Sequence, residues 1–216
     1  MAQPWYIYGA GGLGLETIDI LNHALRVGHL SDFTGVFIED DASRDTVEGF
    51  PIVALEDCAA GAPVTIAVGE PVVRRIMAEK SEAAGLKLAS LLSPDAFISP
   101  MARIEPGVIV APKCSVQARA SIARNAAVNT MAIVGHDVAV SEGAVISSMV
   151  NLGGAVQVGA ESFVGMSAAI KDGLTIGARS IVGIGSVVYK DVPDDVIALG
   201  NPARVARRNE DRKVFG

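Results

Sequence analysis

Between residues 98 and 188 every sixth position is aliphatic, from Ile98, Ile104 and Val110 through Val134, Ile146 and Leu152 to Ile176, Val182 and Val188. A helix repeats its apolar face every 3.6 residues and a strand every 2, so a strict period of six over this length requires another architecture. The hexapeptide β-helix supplies it. Each hexad forms a short strand on one side of a triangular prism with its aliphatic residue pointing inward, and three hexads make one coil. Glycine directly follows the inward residue at Gly135, Gly153, Gly159, Gly165, Gly177 and Gly183, where a tight corner is expected to need positive φ. Small residues such as Cys114, Ala120, Ala126 and Ser162 stand two places before it and suit a crowded corner. Val145, Val150 and Val156 are expected to face outward, an apolar surface that side-by-side packing of three prisms would cover.

The first 92 residues carry a different pattern. An apolar strand at 5–8 runs into Gly9-Ala10-Gly11-Gly12-Leu13-Gly14, followed by helical spacing through Leu15, Ile18, Leu21 and Leu25. Such a glycine turn lets backbone approach a phosphate, and the helix behind it aims free N–H groups at the anion. A second strand at 34–38 ends in Glu39-Asp40-Asp41, an acidic step where a Rossmann-like unit grips a ribose or base. A strand at 64–68 leads into Gly69-Glu70 and a helix carrying Arg74 and Arg75, and residues 88–92 are expected to form a last strand. The chain thus divides into a Rossmann-like α/β domain, 1–92, and a parallel β-helix, 93–216. The first domain is too short for both halves of a dinucleotide fold, which favours a mononucleotide.

Beyond Val188 the period breaks at Asp194 and the coil stack is expected to end. Arg204, Arg207, Arg208, Arg212 and Lys213 then read as a solvated basic helix face.

Composition narrows the classes. Half of the 216 residues are hydrophobic but only 5% are aromatic, as stacked coils of Val, Ile and Ala demand. A net charge of −6 argues against nucleic acid. The span 143–170 carries one charge, Glu161, yet its sixfold Gly and Ser punctuation argues against membrane insertion. The start, Met1 to Tyr8, lacks the pattern of a signal peptide, so a cytoplasmic location is expected. Cys58 and Cys114 form no ligand spacing, and no metal is expected. His136 is the one imidazole within the hexad region, two places beyond an inward residue, where it can project from the prism and act as a base near neutral pH.

Taken together, the glycine turn, the acidic step, Asn129-Thr130, His136-Asp137 and the terminal Gly200-Asn201-Pro202-Ala203 resemble the bacterial hexapeptide-repeat sugar acyltransferases that acetylate UDP-linked 4-amino sugars or sialic acid. The resemblance implies left-handed coiling, a homotrimer with active sites between subunits, and acetyl-CoA as co-substrate. It implies a nucleotide-sugar site at Gly9, Gly11, Gly12, Gly14, Glu39, Asp40 and Gly69, and acetyl-CoA contacts at Asn129, Gly154, Gly165 and Gly183. His136 becomes the general base and Asp137 its partner, with direct transfer to the amine and the oxyanion held by a backbone N–H. The expected activity is N-acetylation of a UDP-linked amino sugar, of the 4-amino-4,6-dideoxy kind, in surface-glycan synthesis. A sugar O-acetyltransferase and a non-catalytic nucleotide-binding assembly protein are the alternatives, and an NAD-dependent oxidoreductase would leave the prism without a role. Three residues depart from the family pattern: Gly135 replaces a frequent Glu, Val145 a frequent second His, and Leu13 the histidine of the glycine turn.

Overall fold

The computed structural model describes residues 2–40 and 44–215; Met1 and Asp41 lie outside them. The first strand β1 (Gln3–Tyr8) is followed by α1 (Gly12–Arg26), β2 (Phe33–Ile38), β3 (Thr46–Val47), β4 (Phe50–Val53), β5 (Pro63–Ile66), α2 (Pro71–Ala83) and β6 (Lys87–Leu88). They build one sheet in the order β3-β4-β2-β1-β5-β6, parallel except for the β3–β4 hairpin. Strand β1 is central and its last four residues are buried, which places the glycine turn at the carboxyl end of the sheet, where open α/β sheets form their ligand crevice.

Seventeen two-residue strands follow, β7 (Leu91–Leu92) to β23 (Val187–Val188). Up to residues 169–170 each pairs in parallel with the strand eighteen residues on, as Ile109 does with Ala127 and Ser115 with Ile133, and three faces result. The first face contains 109–110, 127–128, 145–146, 163–164 and 181–182, the second 115–116 and 133–134, the third 121–122 and 139–140. The sixfold aliphatics form the interior and are nearly all sealed, Val134, Leu152 and Val182 completely. The small corner residues are sealed as well.

Four local expectations need correction. The segment 88–92 is two strands: β6 closes the α/β sheet, while β7 pairs with residues 109–110 and starts the prism. The glycines after the inward residues do not carry the corner's positive φ. From Lys113 (+60°) through Asp137 (+60°) to Gly185 (+65°), that conformation falls three places after each inward residue, mostly on non-glycines. The glycines are required by stacking: a Cβ on Gly135 would lie 2.7 Å from the Leu152 carbonyl oxygen, and one on Gly159 would lie 2.4 Å from the Ala178 nitrogen. Val145, Val150 and Val156 are all buried: the last two fill interior corners, whereas Val145 points out of the prism but lines the second cavity, covered from solvent. Met131, Met149, Met166 and Ile184 form one column of exposed apolar side chains at the corner between the first and second faces, and Phe97, Met101 and Tyr189 are exposed elsewhere on the prism. Finally, pairing outlasts the sixfold period: Val192 bridges Ile176, and β24 (Val196–Gly200) joins the first face before turning into antiparallel β25 (Ala203–Arg208). Arg204, Arg207 and Arg208 therefore lie on a strand, not a helix.

The two units are locked together by Arg74 of α2, which is fully buried. Its guanidinium donates to the carbonyls of Ile66 (2.7 Å) and Val68 (3.0 Å), and to the Asn125 carbonyl (2.9 and 3.1 Å) at a prism corner. Asn125 returns a bond from its amide to the Arg74 carbonyl (3.1 Å). Burial pushes the Arg74 pKa down to about 9, so the group remains a cation at neutral pH. Among the described residues no helix is long and apolar enough to cross a membrane.

Candidate active site

The glycines of the first turn divide into two kinds. Gly9 has φ +107° and a Cβ there would sit 2.9 Å from Val68 Cγ2, while a Cβ on Gly14 would strike the Gly9 carbonyl; these two shape the turn and let α1 pack on it. Gly11 and Gly12 have nothing within 4 Å of such a Cβ. They open the N-terminus of α1, which has no side-chain cap, and its unpaired N–H groups are the part of the turn suited to an anion.

Beside the turn lies a cavity of about 600 Å³ lined by Tyr8, Gly9, Ile38, Glu39, Asp40, Arg44 and Met77. Asp40 accepts hydrogen bonds from Lys80 Nζ (2.8 Å) and from the Tyr8 hydroxyl. Both hold its carboxyl below the usual range, and burial together with Asp40 pushes the Tyr8 phenol up. Glu39 is engaged by Arg44 at 2.9 Å.

A second cavity, about 670 Å³, separates the turn from the corner between the first and second faces of the prism. Gly12, Leu13, Glu16 and Gly69 line one side, Asn129, Ser147, Gly165, Met166, Gly183 and Ile184 the other, and Val214 and Phe215 lie across it. Asn129 Oδ1 is buried here without a hydrogen-bond partner among the described residues. Such an orphaned acceptor suits a ligand N–H.

His136 occupies a different corner, between the second and third faces. Its Nδ1 lies 2.7 Å from Asp137 Oδ2. Arg119, one coil earlier, clasps the same carboxylate through Nε (2.6 Å) and Nη2 (2.7 Å). Arg119, and then His136, hold the Asp137 carboxyl far below the usual range. An ionised Asp137 keeps the proton of a neutral His136 on Nδ1 and leaves Nε2 with its lone pair. That edge of the ring lies over Gly154, where a Cβ would come within 2.6 Å of Nε2 and Cε1, and the Gly154 N–H is fixed by Asp172 Oδ1 (2.9 Å).

The structure thus gathers Gly9, Glu39 and Asp40 at one cavity, and Gly12, Gly69, Asn129, Gly165 and Gly183 at another. Gly154 belongs instead with His136 and Asp137, and none of these three lines either cavity. No carboxylate precedes the histidine, and in this chain the coils stack too closely at Gly135 to admit a side chain. Val145 faces the second cavity rather than His136. Arg119, Lys80, Glu70 and Phe215 carry no sequence motif; only Arg119 had a signal, its separation from Asp137 by one full coil.

No protein-family model matches the chain. It is 29% identical over 213 residues, 94% of this chain and 96% of the relative, to GDP-perosamine N-acetyltransferase of Escherichia coli O157:H7. Its structure is similar to that of a histidine-to-asparagine mutant of perosamine N-acetyltransferase from Caulobacter crescentus in complex with CoA and GDP-perosamine (TM-score 0.85, 30% identity, 95% and 97% of the two chains). It is equally similar to the acetyltransferase domain of PglB from Neisseria gonorrhoeae in complex with acetyl coenzyme A (TM-score 0.87, 32% identity, 95% and 100%).

Proposed function

The chain belongs to the hexapeptide-repeat acyltransferase superfamily, and we propose that it transfers acetyl from acetyl-CoA to the amino group of a nucleotide-linked 4-amino-4,6-dideoxy sugar. The observation that carries this reading is the clasped His136: one ring nitrogen tied to Asp137 and the other presented over a bare glycine. Nε2 takes a proton from the sugar ammonium, the freed amine attacks the thioester carbonyl, and the C–N bond forms as the oxyanion develops. As the intermediate collapses, the C–S bond breaks, the new amide nitrogen releases its second proton to solvent, and the departing CoA sulfur receives the proton held by His136.

The α/β unit, 1–92, holds the nucleotide sugar in this scheme. Phosphates meet Gly11 and Gly12 at the α1 N-terminus, and the base or ribose meets Asp40 and Glu39. Their carboxylates can accept from uracil N3–H, the UDP reading, or from the N1–H and exocyclic amine of guanine, which the GDP-perosamine relatives favour. Acetyl-CoA lies along the prism of 93–216, taken as left-handed from the family, with Asn129, Gly165 and Gly183 on one wall and Gly154 on the other.

Because His136 and these cavities lie on different corners of one chain, the site is completed by a second copy. Three prisms packed side by side bring the His136 corner of one copy to the cavity of the next. They also cover the exposed column of Met131, Met149, Met166 and Ile184. A monomer by light scattering at micromolar concentration would remove this arrangement.

The decisive assay mixes the protein with acetyl-CoA and UDP- or GDP-linked 4-amino-4,6-dideoxy sugars, and follows thiol release together with the mass of the sugar product. One nucleotide series should gain a single acetyl group on nitrogen. Acetylation of sugar hydroxyls alone indicates the O-transferase, and ligand binding without transfer to any acceptor indicates a scaffold.

A further inference from the structure

Glu70 immediately precedes α2, where a side chain normally caps the helix, yet it makes no cap bond. Its carboxylate instead accepts three hydrogen bonds from a segment far along the chain: from Val214 N–H at 3.0 and 3.1 Å, and from Phe215 N–H at 3.1 Å. Phe215 is further held edge-on against Phe163, centroids 5.6 Å apart at 84°. Its ring lies so near Gly69 that a Cβ there would be in contact at 3.4 Å. An aromatic side chain fixed by three separate restraints nevertheless remains 59% exposed, and what it borders is the 670 Å³ cavity. That cavity is graded along the prism. Asn129 and Ser147 make it polar at the earlier coils, whereas Phe163, Ile181 and Ile184, with Phe215 across from them, make it apolar at the later ones.

We propose that Phe215, clamped by Glu70, is a specificity-determining residue: it forms the apolar wall that receives the C6 methyl of a deoxy amino sugar and disfavours a C6 hydroxymethyl. The inference rests on the proposed function: a sugar whose phosphates sit at Gly11 and Gly12 and whose amine must reach a thioester on the prism passes the Gly12, Gly69 and Phe215 side of this cavity, facing the acetyl-CoA wall. A methyl group against Phe163 and Phe215 leaves water without losing a hydrogen bond, whereas a hydroxyl there gives up its water partners and finds only rings. Discrimination of an added hydroxyl by an apolar pocket amounts to about 10- to 100-fold.

The test is a ratio. The value of kcat/KM is measured for a 6-deoxy and a 6-hydroxy amino sugar carried on the same nucleotide. The wild type should favour the deoxy sugar by about 10-fold or more. Phe215→Ala should reduce this preference to less than about 3-fold while leaving KM for acetyl-CoA unchanged. Glu70→Gln, which keeps the shape but weakens the clamp, should give an intermediate ratio. An unchanged ratio in Phe215→Ala, with both sugars slowed alike, overturns the proposal, as does a wild type without preference. A wild type that acetylates no nucleotide-linked amino sugar would instead overturn the functional reading itself, and this inference with it.

Discussion

Arg119 and Asp137 face each other across one coil of the prism, with both carboxylate oxygens bound by guanidinium nitrogens at 2.6 and 2.7 Å. The same carboxylate binds His136 Nδ1, so Arg119 orients the imidazole at one remove. Arg119→Met should let Asp137 and His136 turn, lowering kcat by roughly tenfold. The stability effect has a sign as well. The folded Asp137 carboxyl is depressed, so its contribution is present above the ordinary carboxylate pKa and disappears as pH falls through the folded value. The Tm difference between wild type and variant should therefore exist at pH 7 and vanish in strong acid; a difference independent of pH contradicts this account.

Gly154 and Gly159 separate function from folding. Neither has positive φ, so alanine is tolerated by the backbone at both. At Gly154 the nearest neighbour of the added methyl is the His136 ring, at 2.6 Å, whereas at Gly159 it is backbone of the next coil, at 2.4 Å. Gly154→Ala should displace the ring and depress kcat with little change in Tm. Gly159→Ala should lower Tm by several degrees. Thermal scans beside initial rates read both outcomes.

Asp40 is held between Tyr8 and Lys80 with its carboxylate facing the cavity at the end of β1. Asp40→Asn removes the charge and half of the acceptor capacity. It should raise KM for the nucleotide sugar by about tenfold or more, as loss of a charged hydrogen bond does, and leave KM for acetyl-CoA unchanged. Equal effects on both substrates would contradict the division of labour between 1–92 and the prism.

The prism was legible because its interior repeats one chemical demand: each inward position must be aliphatic, from Ile98 to Val188. The end of the stack was not, since Val192 and β24 keep pairing with the coil above after the sixfold spacing lapses. The glycines answer a different demand from the one their spacing suggests. Gly135 and Gly159 yield to the backbone of the next coil, a contact eighteen residues away that a six-residue window does not contain. Within the site, His136-Asp137 and the glycine turn could be read because their partners are local in sequence. Arg74 with Asn125 and Glu70 with Phe215 are joined only by the docking of the two units, and Tyr8 with Asp40 by the pairing of β1 with β2; no spacing reports them.

Arg74 gives a prediction on stability alone. It is a sealed cation without a carboxylate, satisfied by the carbonyls of Ile66, Val68 and Asn125. Arg74→Met fills similar volume but leaves those carbonyls without donors, a loss of about 3 kcal/mol. For a chain of this size that amounts to a Tm lower by roughly 6–12 °C. Asn125→Gly, which keeps the positive φ of that corner (+55°) but deletes the amide, should cost less. A Tm unchanged in Arg74→Met would mean that the units are joined mainly by the apolar contacts around α1.

The proposed chemistry rests on His136 as the base. An amino-sugar nitrogen is largely protonated near neutral pH and cannot attack a thioester until it loses that proton, so a base within hydrogen-bond reach should contribute about 10²–10⁴ in rate. His136→Asn keeps a polar side chain of similar reach while removing the basicity. If His136 acts only on the proton, His136→Asn should leave acetyl-CoA and the nucleotide sugar still able to raise Tm. The expected result is a kcat lower by that factor, KM values little changed, and loss of the acidic limb of the pH profile, because that limb reports protonation of the imidazole. A variant retaining more than about a tenth of wild-type kcat would show that His136 is not the base. The reaction would then depend on proximity alone, with the amine arriving already deprotonated, and its rate should rise with pH along the titration of the free sugar amine rather than level off above the histidine range.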